Sequence, residues 1–146
     1  MTGERLAAID CGTNSVRLLV AEPDGAGGAP VVIRNAPLLR DGTPMPTRYW
    51  LVDRDLGVAV SRLESTGGVR AAEAAVDPAE LAGAHARYAA ERDAAVPPGH
   101  AGPRPHGGVA GTAIGVKCLH AHYGYFLAGG DDPVGRWVDD LSLIHI

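Results

Sequence analysis

Arg48-Tyr49-Trp50-Leu51-Val52-Asp53-Arg54-Asp55-Leu56-Gly57-Val58-Ala59-Val60-Ser61-Arg62-Leu63 changes its hydrophobic period half-way along. Its first five residues are aromatic, aliphatic and β-branched, the composition of a strand. From Leu56 the apolar residues Leu56, Ala59, Val60 and Leu63 fall at i, i+3, i+4 and i+7, one face of a helix. Asp53 or Asp55 is placed to cap that helix, because a short carboxylate accepts from the free amides of a first turn. Upstream, Val31 to Leu39 is a second extended run, and Arg40 to Thr47 is a turn stiffened by Pro44 and Pro46. The two runs are predicted to pair as an antiparallel ribbon over 31–36 and 48–52. The expected fold is α+β: a short antiparallel β ribbon packed against three to four helices, with an N-terminal hairpin appended.

Further helices follow from local signals. Gly67-Gly68 ends the first one and a short helix over 69–76 comes next. Asp77-Pro78-Ala79-Glu80 combines a cap, a first-turn proline and a capping-box glutamate, and starts a helix to about Ala95 that buries Leu81, Ala84, His85 and Tyr88. Pro97-Pro98-Gly99 stops it, and 97–112 reads as a mobile loop carrying His100 and His106. The next helix is predicted to begin near Gly115, with Val116, Leu119, His120, Tyr123, Phe126 and Leu127 as its apolar stripe and Cys118, His122 and Tyr125 on a neighbouring strip. Gly129-Gly130 terminates it, and Asp132-Pro133 opens a last helix through Val134, Trp137 and Val138.

The N-terminal piece is a different unit. Leu6 to Ile9 and Val16 to Ala21 flank Asp10-Cys11-Gly12-Thr13-Asn14-Ser15, which reads as a hairpin. The same turn could offer backbone amides and hydroxyls to a phosphate, with Asp10 holding a metal or a water. Residues 23–30, PDGAGGAP, form a linker.

Bulk composition narrows the function classes. A chain of 146 residues suits one modest core, and with 46% hydrophobic but only 5% aromatic residues that core is expected to be thin. A net charge of -4 excludes a non-specific nucleic-acid binder, which needs a basic surface to displace counterions. No run of 18 apolar residues exists, so no membrane helix is expected. The N-terminus lacks the apolar region of an export signal, and the 2 cysteines are far apart, which points to reduced thiols and a cytoplasmic protein.

The chemistry-bearing candidates are few. On a helix running through it, Cys118 and His122 stand at i, i+4 and converge on one point, a spacing that suits two ligands of a zinc ion. At 100° per residue His120 points away from them. Remaining ligands would come from His100, His106 or Cys11. A nucleophilic cysteine activated by Lys117 or a histidine lacks a nameable orienting acid. Gly107 to Lys117 lacks the Gly-x4-Gly-Lys-Ser/Thr spacing of a phosphate loop and reads as a flexible linker. Tyr49 and Trp50, beside the rigid turn, are candidate anchors for a protein partner.

Two resemblances add to this. Asp10-Cys11-Gly12-Thr13-Asn14-Ser15 with Arg17-Leu18-Leu19-Val20 resembles the opening of the exopolyphosphatase and guanosine-pentaphosphate phosphatase family. That resemblance implies a first phosphate loop of an actin-like ATPase fold, with Asp10, Gly12, Thr13, Asn14, Ser15 and Arg17 as phosphate-binding residues. The second loop and the catalytic carboxylate of such enzymes do not follow, so a phosphohydrolase activity is not expected of this chain. From about 28 to 138, three blocks resemble an uncharacterised actinobacterial family, domain of unknown function 501. They are Asn35 to Leu39 with Asp41-Gly42-Thr43-Pro44 and Thr47 to Leu51; Val60-Ser61-Arg62-Leu63-Glu64; and Val116-Lys117-Cys118-Leu119-His120 with Asp132 to Gly135. The resemblance implies a Cys-x-Cys-Gly just before the Pro-x-Val-Val segment, where this chain has Gly27-Gly28. It assigns no activity. The two resemblances meet at the linker, which implies a fusion or chimera of 1–25 with 31–140. The last six residues, Leu141 to Ile146, match the translation of a sequencing adapter and are left outside the fold expectation.

Overall fold

The computed structural model describes residues 8–10, 16–21 and 30–141. Its strands are β1 (Ala8–Asp10), β2 (Val16–Ala21), β3 (Val32–Asn35) and β4 (Tyr49–Leu51), hydrogen-bonded in that order as one antiparallel sheet. The predicted ribbon is present, with Val32 opposite Leu51, Ile33 opposite Trp50 and Arg34 opposite Tyr49. The hairpin is present too, with Ala8 opposite Leu18. β2 also pairs with β3, from Arg17 opposite Asn35 to Ala21 opposite Val32. The hairpin therefore extends the sheet.

Helices α1 (Arg54–Ser65), α2 (Gly68–Ala75), α3 (Pro78–Ala94), α4 (Leu119–Leu127) and α5 (Pro133–Asp140) complete an α+β fold. Three of them start on the aspartates expected from sequence. Asp53 accepts from the Leu56 amide, Asp77 from Glu80, and Asp132 from Val134 and Gly135. Each cap satisfies amides that a first helical turn leaves without a carbonyl partner.

α4 is the hub. One core cluster joins Val31, Val32, Tyr49, Tyr88 and Val109 to its Ala121 and Tyr125; a second joins Val60, Ala72, Leu81, Val134 and Val138 to its Leu119 and Tyr123. A helix apolar on nearly every face must be covered on nearly every face. Gly135 allows α5 to approach, since a Cβ there would stand 2.3 Å from the Phe126 Cβ and 2.7 Å from the His122 carbonyl oxygen.

The core is less thin than composition suggested, because the few aromatic residues are concentrated in it. The rings of Tyr49 and Tyr125 stack with centroids 5.6 Å apart, and Tyr88 meets Tyr125 edge-on at 5.0 Å. The Tyr88 hydroxyl accepts from the Arg48 and Tyr49 amides, which joins α3 to β4, and the Tyr49 hydroxyl donates to Glu91. Burial and the Glu91 carboxylate both push the Tyr49 phenol up. Tyr49 is thus a core residue and cannot serve as a surface anchor; its neighbour Trp50 is 41% exposed.

Two loop expectations change. Residues 107–117 do not behave as a free linker: Val109 is wholly buried, and its amide donates to Nδ1 of His85 over 3.1 Å. Gly108 makes this possible, because a Cβ there would lie 2.5 Å from that of His85. Arg92, in the last turn of α3, is 1% exposed and donates to the carbonyls of Pro46 (3.1 Å) and His106 (3.4 Å), tying both loops to the helix.

Candidate metal centre

α4 begins at Leu119, four residues after the predicted start. Cys118 precedes it in extended conformation (φ -150°, ψ 125°). The helical i, i+4 relation between Cys118 and His122 therefore does not exist. His120 and His122 also exchange the places expected of them. His122 enters the core and His120 lies half-buried at the edge, beside α1.

At that edge three donor groups meet. His120 Nδ1 lies 3.0 Å from Glu64 Oε1, Cys118 Sγ lies 3.6 Å from the same oxygen, and Sγ and Nδ1 are 3.8 Å apart. The donors come from the two blocks 60–64 and 116–120, which α1 and the start of α4 bring together. Glu64 Oε1 also accepts from the Leu119 amide over 2.8 Å, so its carboxylate caps α4 in place of the Cys118 side chain. On its other side His120 Nε2 is 3.2 Å from the Gly57 carbonyl oxygen and 3.2 Å from Ser61 Oγ. A carbonyl only accepts, so Nε2 carries a proton. The Cys118 sulfur beside Nδ1, with the Glu64 carboxylate and the Gly57 carbonyl, raises the imidazole to about 9 against the opposing effect of burial. Without a metal the ring is an imidazolium at neutral pH.

A second histidine centre lies inside the core. His122 Nδ1 is 2.6 Å from Asp132 Oδ2, and both side chains have 0% exposure. Asp132 Oδ1 accepts from the Val134 and Gly135 amides, so one carboxylate caps α5 and orients His122. His122 Nε2 has no partner among the described residues. The His85 ring stands 5.6 Å away, its Nδ1 accepting from Val109 and its Nε2 therefore protonated toward the Gly115 carbonyl at 2.9 Å. Burial holds the His85 imidazole below the usual range.

The remaining candidates do not join either centre. His100 faces the Pro103 carbonyl at 3.0 Å and His106 is exposed in the loop. Of the phosphate-binding candidates, Asp10 and Arg17 lie on the paired strands β1 and β2, one register step apart. Gly12, Thr13, Asn14 and Ser15 lie outside the described residues, as do Cys11, Gly27-Gly28 and 142–146. The Cys–His nucleophile idea now has an acid in Glu64. However, Glu64 and Cys118 both address Nδ1, whereas an orienting acid and a nucleophile must use opposite ring nitrogens.

Glu64 is the member of the outer cluster that sequence reading missed. One signal was available: an acid in the last turn of α1 opposes the helix dipole, so it needs a compensating partner elsewhere.

Residues 24–140 match the model of a family described as Protein of unknown function (DUF501). The chain belongs to that family. The match starts within the Gly/Pro-rich linker and runs through α5, so it contains every residue of both histidine centres. The family description supplies no activity, and the function has to be read from the site. No curated protein matches the chain, and no solved structure matches it. Among the described residues no helix is long and apolar enough to cross a membrane.

Proposed function

We propose that this domain binds a zinc ion through Glu64, Cys118 and His120. The observation that carries the reading is the donor triangle. One ligand atom from each residue lies within 4.8 Å of the others. Donors on a tetrahedral zinc stand roughly 3.3–3.6 Å apart, given bonds of about 2.0 Å to nitrogen and oxygen and 2.3 Å to sulfur. The separations of 3.0, 3.6 and 3.8 Å bracket those values. A thiolate, an imidazole and a carboxylate together favour zinc over the harder magnesium and calcium, which take oxygen ligands.

The outer hydrogen bond supports the same reading. A metal-ligating histidine ordinarily donates its second ring N–H to a carbonyl or carboxylate, which fixes the tautomer. His120 does this toward Gly57. A zinc ion would take the place of the Nδ1 proton and of the thiol proton, relieving the present competition of two groups for one nitrogen. Three protein ligands leave the fourth tetrahedral position to water or to a bound molecule.

Zinc titration against a chromophoric chelator, together with the cobalt(II) spectrum, tests this. One equivalent of metal is expected, with a thiolate-to-cobalt absorption that vanishes in Cys118→Ser. Sub-stoichiometric binding, or a cobalt spectrum indifferent to Cys118→Ser, would remove the proposal.

A further inference from the structure

α1 presents Arg54, Gly57, Ser61, Arg62 and Ser65 along one face, and with His120 this face lines a groove of ≈ 590 Å³. We infer that the groove binds a small dianion, a molecule bearing a phosphate, sulfate or dicarboxylate group, held between Arg54 and Arg62 above Ser61. The inference rests on the zinc reading, because the ion would fix the His120 ring that lines the groove.

The lining is unusual for this chain. Beside Leu51, Gly57 and Val58 it contains two arginines, two serines and a histidine and no acidic side chain, in a protein whose net charge is -4. Among the described residues the arginines in ion pairs are Arg48, Arg87, Arg92 and Arg136; Arg54 and Arg62 are in none. Their Cα atoms are eight residues apart, about 12 Å along the helix. Their flexible stems can therefore close on a ligand from both ends. Gly57 keeps the space between them open, since a Cβ there would meet nothing within 4 Å. The floor offers the Ser61 hydroxyl, which rests 3.2 Å from Nε2 of His120.

Guanidinium groups that converge on one anion from two directions give charge-assisted hydrogen bonds, which are stronger than neutral ones. His120 belongs to both features, with Nδ1 toward the proposed metal and Nε2 toward the groove. Metal occupancy and anion binding should therefore be coupled. Loading zinc leaves the net charge of the cluster unchanged, because the ion replaces the imidazolium and thiol protons, and it acts on the groove by fixing the His120 ring.

The test uses the full chain, zinc-free and loaded with one equivalent of zinc, at constant ionic strength in chloride. Sodium sulfate and sodium succinate are the probes, followed by amide NMR shifts of Gly57, Ser61 and Ser65. The expected result is saturable shifts, tightened several-fold by zinc and weakened roughly tenfold in Arg54→Ala and Arg62→Ala. Arg70→Ala, an exposed arginine outside the lining, should leave them unchanged. Preference for sulfate identifies a tetrahedral oxyanion as the ligand chemistry, and preference for succinate a dicarboxylate. Absence of saturation, equal effects of all three arginine variants, or equal affinity with and without zinc would overturn the inference. Chelator competition in the same samples reports zinc binding separately. Zinc bound without an anion response sinks the groove alone, whereas failure to bind zinc sinks the metal reading.

Discussion

His120 and His122 stand two residues apart at the start of α4, each beside a carboxylate, and the two centres differ in what else reaches them. Around His122 the carboxylate is fully used: Asp132 puts one oxygen on the imidazole and the other on two amides of α5, with both side chains at 0% exposure. Around His120 a thiol joins the carboxylate, and exposure is 30% for the imidazole and 26% for Glu64. A carboxylate–imidazole contact alone is therefore no sign of a site. The third donor, together with a path to solvent, separates a centre that can exchange a proton for a metal from one that holds two helices together.

The largest effect that could break this contrast is at Asp132. Asp132→Ala removes the α5 cap and leaves His122 buried without its partner. Losses of this kind cost about 3–5 kcal/mol. Asp132→Asn keeps an acceptor oxygen for the cap and should cost less. A loss below about 1 kcal/mol for Asp132→Ala in urea unfolding would show that the inner centre is not structural.

Next comes the zinc-dependent stability of the outer centre. At a free zinc concentration 100-fold above the dissociation constant, wild type should gain about 2.7 kcal/mol. Cys118→Ala should gain none, and without metal its thermal midpoint should match wild type closely. An equal zinc response in both proteins would place the ion elsewhere.

A smaller effect sharpens the role of Glu64. Glu64→Gln retains an oxygen for the Leu119 amide but loses the charge. Metal-free stability should fall by no more than about 1 kcal/mol, in line with the loss of part of a cap. Zinc affinity should drop by well over tenfold in the same protein. If stability collapses while zinc affinity is retained, Glu64 is a strut and not a ligand.

The smallest effect is a pH slope at the inner centre. Burial lowers the folded-state affinity of His85 for protons, so the unfolded chain binds more protons below about pH 6.5. Stability from this group is complete above that pH and declines as pH falls through it toward the lower folded value. Protonation at Nδ1 also ends the bond from Val109. The protection factor of the Val109 amide should therefore fall in acid before those in the centre of α3 do. An unchanged protection factor across pH 5–7 would contradict an Nδ1 acceptor in His85.

Much of the fold was legible because its signals are local. The ribbon over 31–36 and 48–52 rests on composition around a proline-rich turn, and the caps Asp53, Asp77 and Asp132 each act within three residues of themselves. The burial of Leu81, Ala84, His85 and Tyr88 followed from period alone. The site was legible only as a neighbourhood. Sequence spacing points to Cys118 with His122, because a helix begun near Gly115 would set them one turn apart, whereas α4 starts only at Leu119.

The chain's own pattern determined which segments are strands and helices, where most of them stop, and that the cysteine of interest lies between Val116 and His122. Only the tertiary structure decided that Cys118 is extended at the helix entrance, that His122 turns inward to Asp132, and that Glu64 closes the outer triangle. The physical reason is range. A cap or a helical face is settled by neighbours within one turn. The Glu64 carboxylate reaches the Leu119 amide across 55 residues of sequence, and only the packing of α1 against α4 brings them to 2.8 Å.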